Sequence, residues 1–181
     1  MKPWRLIVFV LCALAQLAAP ASLIWKRENT LRKGSVWKFR TAPVDPVDAF
    51  RGRYISLQFD IETQEAVPSA ALIDRENVFV IFKTDTEGFG AVGQVLVDRP
   101  AGDDFMEARL VGRTISLPFH TYWVTERDAP AAESAYRAES RPGRRNAYVT
   151  VRIFRGDAAL EQLYLDNQLL GDYLRQNATA K

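Results

Sequence analysis

The sequence has almost none of the residues that build redox, zinc or thiol-nucleophile sites. Its one cysteine, Cys12, lies in an apolar N-terminal stretch, so the rest of the chain contains none. A disulfide scaffold, a zinc cluster and a thiol nucleophile are therefore excluded from a domain that follows this stretch. The one histidine, His120, is flanked by aromatic residues, and this setting is typical of a structural or exposed strand residue. We expect no cofactor and no metal site.

The sequence also lacks the loops that bind calcium or phosphate. Asp45 and Asp48 are close together, but the spacing of a calcium-binding loop is missing, and Asp45 with Pro46 predicts a turn instead. Residues 88–93 have the glycine spacing of a dinucleotide-binding loop. Because strand-forming residues follow where that loop requires a helix, the pattern predicts a turn between two strands.

Neither sign of charge is in excess. The chain has 24 basic and 22 acidic residues, and its arginines are scattered along the sequence. Proteins that bind nucleic acid usually concentrate basic residues on one face. We therefore predict no nucleic-acid partner.

What the sequence does contain is a long apolar run near its N-terminus. Residues 6–25 carry no charge, and as a helix rising about 1.5 Å per residue they would span roughly 30 Å, the thickness of a bilayer core. A signal peptide of residues 1–21 is the alternative, because Ala19-Pro20-Ala21 resembles a cleavage site. We favour an uncleaved anchor that contacts lipid through residues 6–25, since the run continues to Trp25 and a basic pair follows.

The predicted organisation is an anchor helix over residues 1–33 and a β-rich extracytoplasmic domain over residues 34–181. The basic residues that follow the apolar run would favour a cytoplasmic domain, but long domains translocate largely regardless of such charges. We expect a single-pass protein of the bacterial inner membrane with its domain in the periplasm.

After Gly34 the hydrophobic period changes to two. Ile55, Leu57, Phe59 and Ile61 would share one face of a strand, and residues 77–83 form an apolar run typical of a central strand. Further strands are predicted at residues 35–40, 93–98, 105–111, 119–124, 147–153 and 160–166, the last two joined by a turn at Arg155-Gly156-Asp157.

One short helix is predicted at residues 131–139, with Asp128 as its cap, Pro130 in its first turn and a Glu133–Arg137 pair. The predicted fold is mainly β: a small antiparallel barrel or sandwich with one short helix, preceded by a single transmembrane helix.

One segment resembles a known family. Residues 42–59, Ala-Pro-Val-Asp-Pro-Val-Asp-Ala-Phe-Arg-Gly-Arg-Tyr-Ile-Ser-Leu-Gln-Phe, resemble the segment that names the GDYXXLXY family of membrane-anchored bacterial proteins. Arg53 stands where the name has aspartate, and Phe59 where it has the final tyrosine. The helix exit at residues 27–34, the patch at residues 122–126 with Glu133, and residues 163–166 are also similar to that family. The resemblance implies an exported, anchored domain whose relatives are often encoded beside multispanning membrane proteins, and it implies no reaction.

The motif separates core residues from candidate binding residues. Leu57 and Phe59 belong to the apolar face and predict core packing, whereas Tyr54 points the other way. Glu126 is a possible partner for Arg51 or Arg53. The candidate binding residues are Asp45, Arg51, Gly52, Arg53, Tyr54, Glu126 and Glu133.

Two functions remain open from the sequence. The first is a membrane-anchored, periplasm-facing binding or assembly module that partners an integral membrane protein. The second is a signal-peptidase-like serine–lysine hydrolase, with Ser35 or Ser56 as nucleophile and Lys38 or Lys83 as base. The sequence lacks the Ser-Met signature of that group of enzymes, and it contains no other recognisable catalytic centre.

Overall fold

The computed structural model describes residues 3–42, 54–65, 77–141 and 143–179. It opens with helix α1, Pro3–Lys33, which contains Pro20 without ending there. The part from Ile7 to Lys33 is long and apolar enough to cross a membrane, and none of its most apolar window is buried against the rest of the protein. The predicted apolar helix is therefore confirmed, and its exposed surface is compatible with single-pass anchoring.

The rest of the described chain is built mainly from short strands. They are β1 Ser35–Ala42, β2 Tyr54–Ser56, β3 Gln58–Phe59, β4 Asn77–Thr84, β5 Gly90–Leu96, β6 Met106–Val111, β7 Thr114–Ser116, β8 Thr121–Trp123, β9 Ala147–Phe154, β10 Asp157–Leu165 and β11 Gln168–Leu169. Two further helices are α2, Ala129–Glu139, and α3, Leu170–Thr179.

The strands pair antiparallel in three sheets. A five-stranded sheet has the order β11-β10-β9-β1-β3, a four-stranded sheet has the order β5-β4-β6-β7, and β2 pairs with β8. The sheets curl into a half-barrel, and the mainly β prediction is confirmed. Alternate residues of β4, β6, β9 and β10 point inward and form one apolar core.

The motif strand is interrupted where the twofold pattern predicted continuity. Its first part, β2, pairs with β8, whereas β3 pairs with β1, so the chain changes sheets at Leu57. The Leu57 amide donates to the carbonyl oxygen of His120 at 2.8 Å. A 3-10 turn, Asp60–Thr63, follows and keeps Ile61 buried. The local sequence did not predict this corner, because it depends on a partner from a distant segment.

Helix α2 confirms one helical prediction and corrects another. Pro130 lies in its first turn, and Glu133 pairs with Arg137. Asp128, however, makes no side-chain capping hydrogen bond. Its carboxylate accepts a hydrogen bond from the Thr125 hydroxyl at 2.7 Å instead. Asp128 therefore occupies the predicted cap position, but the prediction that its side chain caps the helix is wrong. Helix α3 was not predicted, and it packs Leu170 into the core.

The C-terminal end of α1 is joined to the domain without a linker. Thr30 is 2% exposed, and Lys26 Nζ lies 2.7 Å from Asp157 Oδ1 at the start of β10. A Cβ atom on Gly34 would lie 2.5 Å from the Thr30 carbonyl oxygen and 2.9 Å from that of Ile153. Only glycine permits this approach of helix and sheet. We call residues 26–34, with their contacts on β9 and β10, the helix–sheet joint.

Candidate functional site

One face of the motif strand packs into the core, and the other face is accessible from outside. Ile55, Leu57 and Phe59 are 2%, 0% and 0% exposed, so the predicted core role of this face is confirmed. Tyr54 points away from that face and is half-buried. The motif therefore contributes a structural side and an accessible side.

The accessible side forms a two-stranded ribbon with β8. Tyr54 lies opposite Trp123, Ile55 opposite Tyr122 and Ser56 opposite Thr121. The rings of Tyr54 and Trp123 meet edge to face with their centroids 5.4 Å apart. Trp123 is nonetheless 70% exposed. We call residues 54–56 and 121–123 the motif ribbon.

The structure describes three of the seven predicted binding residues. Tyr54 is in the motif ribbon, and Glu126 is exposed in the turn that leads from β8 to α2. Glu133 lies on α2 and pairs with Arg137. The other four predicted residues lie outside the described residues: Asp45, Arg51, Gly52 and Arg53. The predicted pairing of Glu126 with Arg51 or Arg53 stays a prediction.

A carboxylate–imidazole pair adjoins the ribbon. Glu62, in the 3-10 turn after the motif, accepts hydrogen bonds on Oε1 from the Leu117 amide at 2.7 Å and from His120 Nε2 at 2.9 Å. The hydrogen bond that His120 donates to Glu62 raises the pKa of His120 and outweighs the opposing effect of burial. His120 thus has a structural partner, and its side chain is 41% exposed. Sequence reasoning missed Glu62, because a glutamate in a polar turn gives no signal of its partner.

His120 lines an open cavity of about 530 Å³. Its floor is the outer face of β6 and β7, and its walls are the β9–β10 turn and the loop that precedes β8. The lining residues are Asn77, Glu107, Ala108, Arg109, Ser116, Leu117, Pro118, His120, Gly156, Asp157 and Ala158. We call it the His120 cavity. Within the described ranges, no group of three or more histidine, cysteine or carboxylate side chains is placed to hold a metal ion.

The serines and lysines considered for a hydrolase do not pair. The Ser35 hydroxyl donates to Asp104, and the Lys38 ammonium lies 5.6 Å from the centre of the Tyr148 ring. Lys83 and Ser56 are both exposed, so Lys83 lacks the buried setting in which a lysine acts as a base. Nothing in the described part of the chain favours the hydrolase.

The comparisons with known proteins give one match. A family model described as "GDYXXLXY protein" matches residues 16–163, which is most of the chain. No curated protein and no solved structure matches it. The matched range includes the helix–sheet joint, the motif ribbon and every residue that lines the His120 cavity.

Proposed function

We propose that this chain, which belongs to the GDYXXLXY protein family, is a membrane-anchored binding or assembly module that faces the periplasm and partners an integral membrane protein. The main support is the exposure of Trp123 against Tyr54 on the motif ribbon. Tryptophan and tyrosine are enriched among the residues that dominate binding energy at protein interfaces. A tryptophan left 70% exposed on a folded strand is the type of anchor that a partner would bury.

The helix–sheet joint supports a partner within the membrane. An isolated anchor with a flexible linker would let the domain turn freely, whereas Thr30 and Gly34 fix α1 against β9. A domain held in one orientation presents the same surface to neighbouring membrane proteins at all times. Fixing the orientation in advance lowers the entropic cost of binding.

Protease accessibility tests the orientation. With the domain outside the cytoplasm, protease added to spheroplasts should digest it, while untreated protein should stay in the membrane pellet. Protection from the protease would place the domain inside. A soluble product that starts at Ser22 would replace the anchor with a cleaved signal peptide.

Co-purification tests the partner. Replacing Trp123 by alanine should abolish recovery of an integral membrane protein with the chain after mild detergent extraction. Val111→Ala is the matched control, because Val111 is also exposed, at 57%, but lies on β6 away from the ribbon. Both variants should keep the wild-type circular dichroism spectrum. Equal recovery of the same membrane protein with both variants would refute the role of the ribbon.

A further inference from the structure

The His120 cavity lies close to the C-terminal end of the apolar run in α1. Asp157 lines the cavity and is paired with Lys26, and Lys26 directly follows the uncharged residues 6–25. Trp25 and Lys26 are the residue types that occupy the membrane–water interface. In the anchored protein of the proposed function, one wall of the cavity is therefore beside the lipid head groups.

The floor of the cavity presents opposite charges side by side. Glu107 and Arg109 are two residues apart on β6, so both side chains project from its outer face. Arg109 lies opposite Ser116 on β7 and opposite Asn77 on β4. In the part of the chain that the structure describes, neither the Glu107 nor the Arg109 side chain makes a hydrogen bond or an ion pair within the protein. The two charges are therefore available to a ligand.

His120 adds a second donor at the edge of this floor. Its Nε2 atom is held by Glu62, so the orientation of the imidazole ring is set by the protein. The same hydrogen bond favours the charged form of the ring. The Arg109 guanidinium beside the His120 ring and the Glu107 carboxylate make the cavity complementary to a ligand that carries both signs of charge.

We propose that the His120 cavity binds the head group of a phospholipid that carries both a phosphate and a primary ammonium. Arg109 donates hydrogen bonds to the phosphate oxygens, as does His120 through Nδ1 when its ring is protonated, and the Asn77 amide and the Ser116 hydroxyl add neutral donors. Glu107 accepts hydrogen bonds from the ammonium. This site rests on the proposed function only in that α1 must keep the cavity at the membrane surface.

Lipid retention by the full-length chain tests the site. The chain in detergent is mixed with equal amounts of phosphatidylethanolamine, phosphatidylcholine and phosphatidylglycerol, and bound lipid is counted by native mass spectrometry. The quaternary ammonium of phosphatidylcholine cannot donate a hydrogen bond to Glu107, and phosphatidylglycerol has no ammonium at all. We expect phosphatidylethanolamine to be retained over both.

Variants assign the retained lipid to the cavity. Arg109→Gln and Glu107→Gln should each weaken retention by roughly tenfold or more, the loss expected when one charge-assisted hydrogen bond is removed. Arg113→Gln is the control, because Arg113 is exposed near the same sheet but does not line the cavity. All three variants should keep the wild-type circular dichroism spectrum, since the three side chains are exposed. Unselective retention, or equal loss in the Arg113 control, would overturn the proposal.

Soluble glycerophosphoethanolamine separates a lipid site from a site for a free zwitterion. Calorimetric titration should show that this soluble head group binds more weakly than the lipid. The Arg109 and Glu107 variants should not bind the soluble head group. Binding of the soluble head group without retention of lipid would overturn the assignment to a phospholipid. Co-purification through Trp123 is measured separately, so failure of the lipid site and failure of the partner proposal are distinguishable.

Discussion

Replacing Gly34 by alanine tests whether the helix–sheet joint is as closely packed as its geometry indicates. The added Cβ atom would lie 2.5 Å from the Thr30 carbonyl oxygen, and 2.9 Å and 3.0 Å from the carbonyl oxygen and amide nitrogen of Ile153. All three are backbone atoms, so no side chain can rotate to make room. The end of α1 would have to move away from β9.

The cost follows from two opposing terms. Overpacking of this kind typically costs about 1–3 kcal/mol, while replacing glycine by alanine removes unfolded-state entropy worth about 0.4–1 kcal/mol. We expect a net loss of roughly 1–2 kcal/mol in the free energy of unfolding of the domain. Gly171→Ala is the matched control, because nothing lies within 4 Å of its Cβ position in α3. Alanine there should be neutral, or stabilising by up to about 1 kcal/mol.

Urea unfolding of the full chain in detergent, followed by tryptophan fluorescence, measures both variants. The wild-type chain and both variants should unfold with similar slopes, and only Gly34→Ala should shift its midpoint to lower urea. Equal midpoints for Gly34→Ala and Gly171→Ala would refute the close packing of the joint. The same result would show that α1 does not fix the orientation of the domain.

Three further outcomes are expected. Leu57→Ala should lower the free energy of unfolding by about 2–5 kcal/mol in thermal melts, because Leu57 is fully buried, and Tyr54→Ala should lower it less. An equal loss in the two variants would show that the motif serves folding and not binding. The raised pKa of His120 means that its pairing with Glu62 stabilises the fold fully below about pH 6.5, and that this contribution is lost as pH rises through the raised pKa. Unfolding measured across this range should therefore show a pH dependence that Glu62→Gln removes, and a dependence unchanged in that variant would contradict the pairing. Burial raises the pKa of Tyr136 to about 12, so this tyrosine should ionise late in an alkaline titration followed by absorbance. Tyr136→Phe should remove that late step. A wild-type titration without the step would show that Tyr136 is accessible to solvent.

Most strands were predicted from the sequence, because the alternation of apolar and polar residues indicates which side of a strand is buried. The pattern of β4, β6 and β9 is visible in their own residues, and these strands lie close to where it placed them. The corner at Leu57 was not predicted, since the His120 carbonyl that accepts its amide hydrogen bond belongs to another segment. Helix α3 was also missed, because it is short and its first residues, Leu170 and Gly171, directly follow β11.

Only the placement of residues on the ribbon side could be predicted from the sequence. Strand alternation places Tyr54 opposite the apolar face, as the structure shows, while its binding role stays a prediction. Trp123 belongs to the patch that resembles the family. The His120 cavity was not predicted, because its lining comes from β4, β6, the loop before β8 and the β9–β10 turn. Glu107, Arg109 and His120 each look like an ordinary polar strand or loop residue in their own segments. Only the folded sheet places Glu107, Arg109 and His120 together.

The geometry ties the family motif to the cavity as well as to the ribbon. The backbone of His120 accepts the Leu57 amide hydrogen bond, while its ring is held by Glu62 from the turn that follows the motif. A substitution that displaces Leu57 therefore also displaces His120, because both contacts belong to one corner of the fold. Loss of binding in a core variant cannot be assigned to the binding surface for this reason. The side chains of Trp123 and Arg109 are exposed and take no part in these two hydrogen bonds. Their variants therefore separate partner binding from lipid binding, and both from folding.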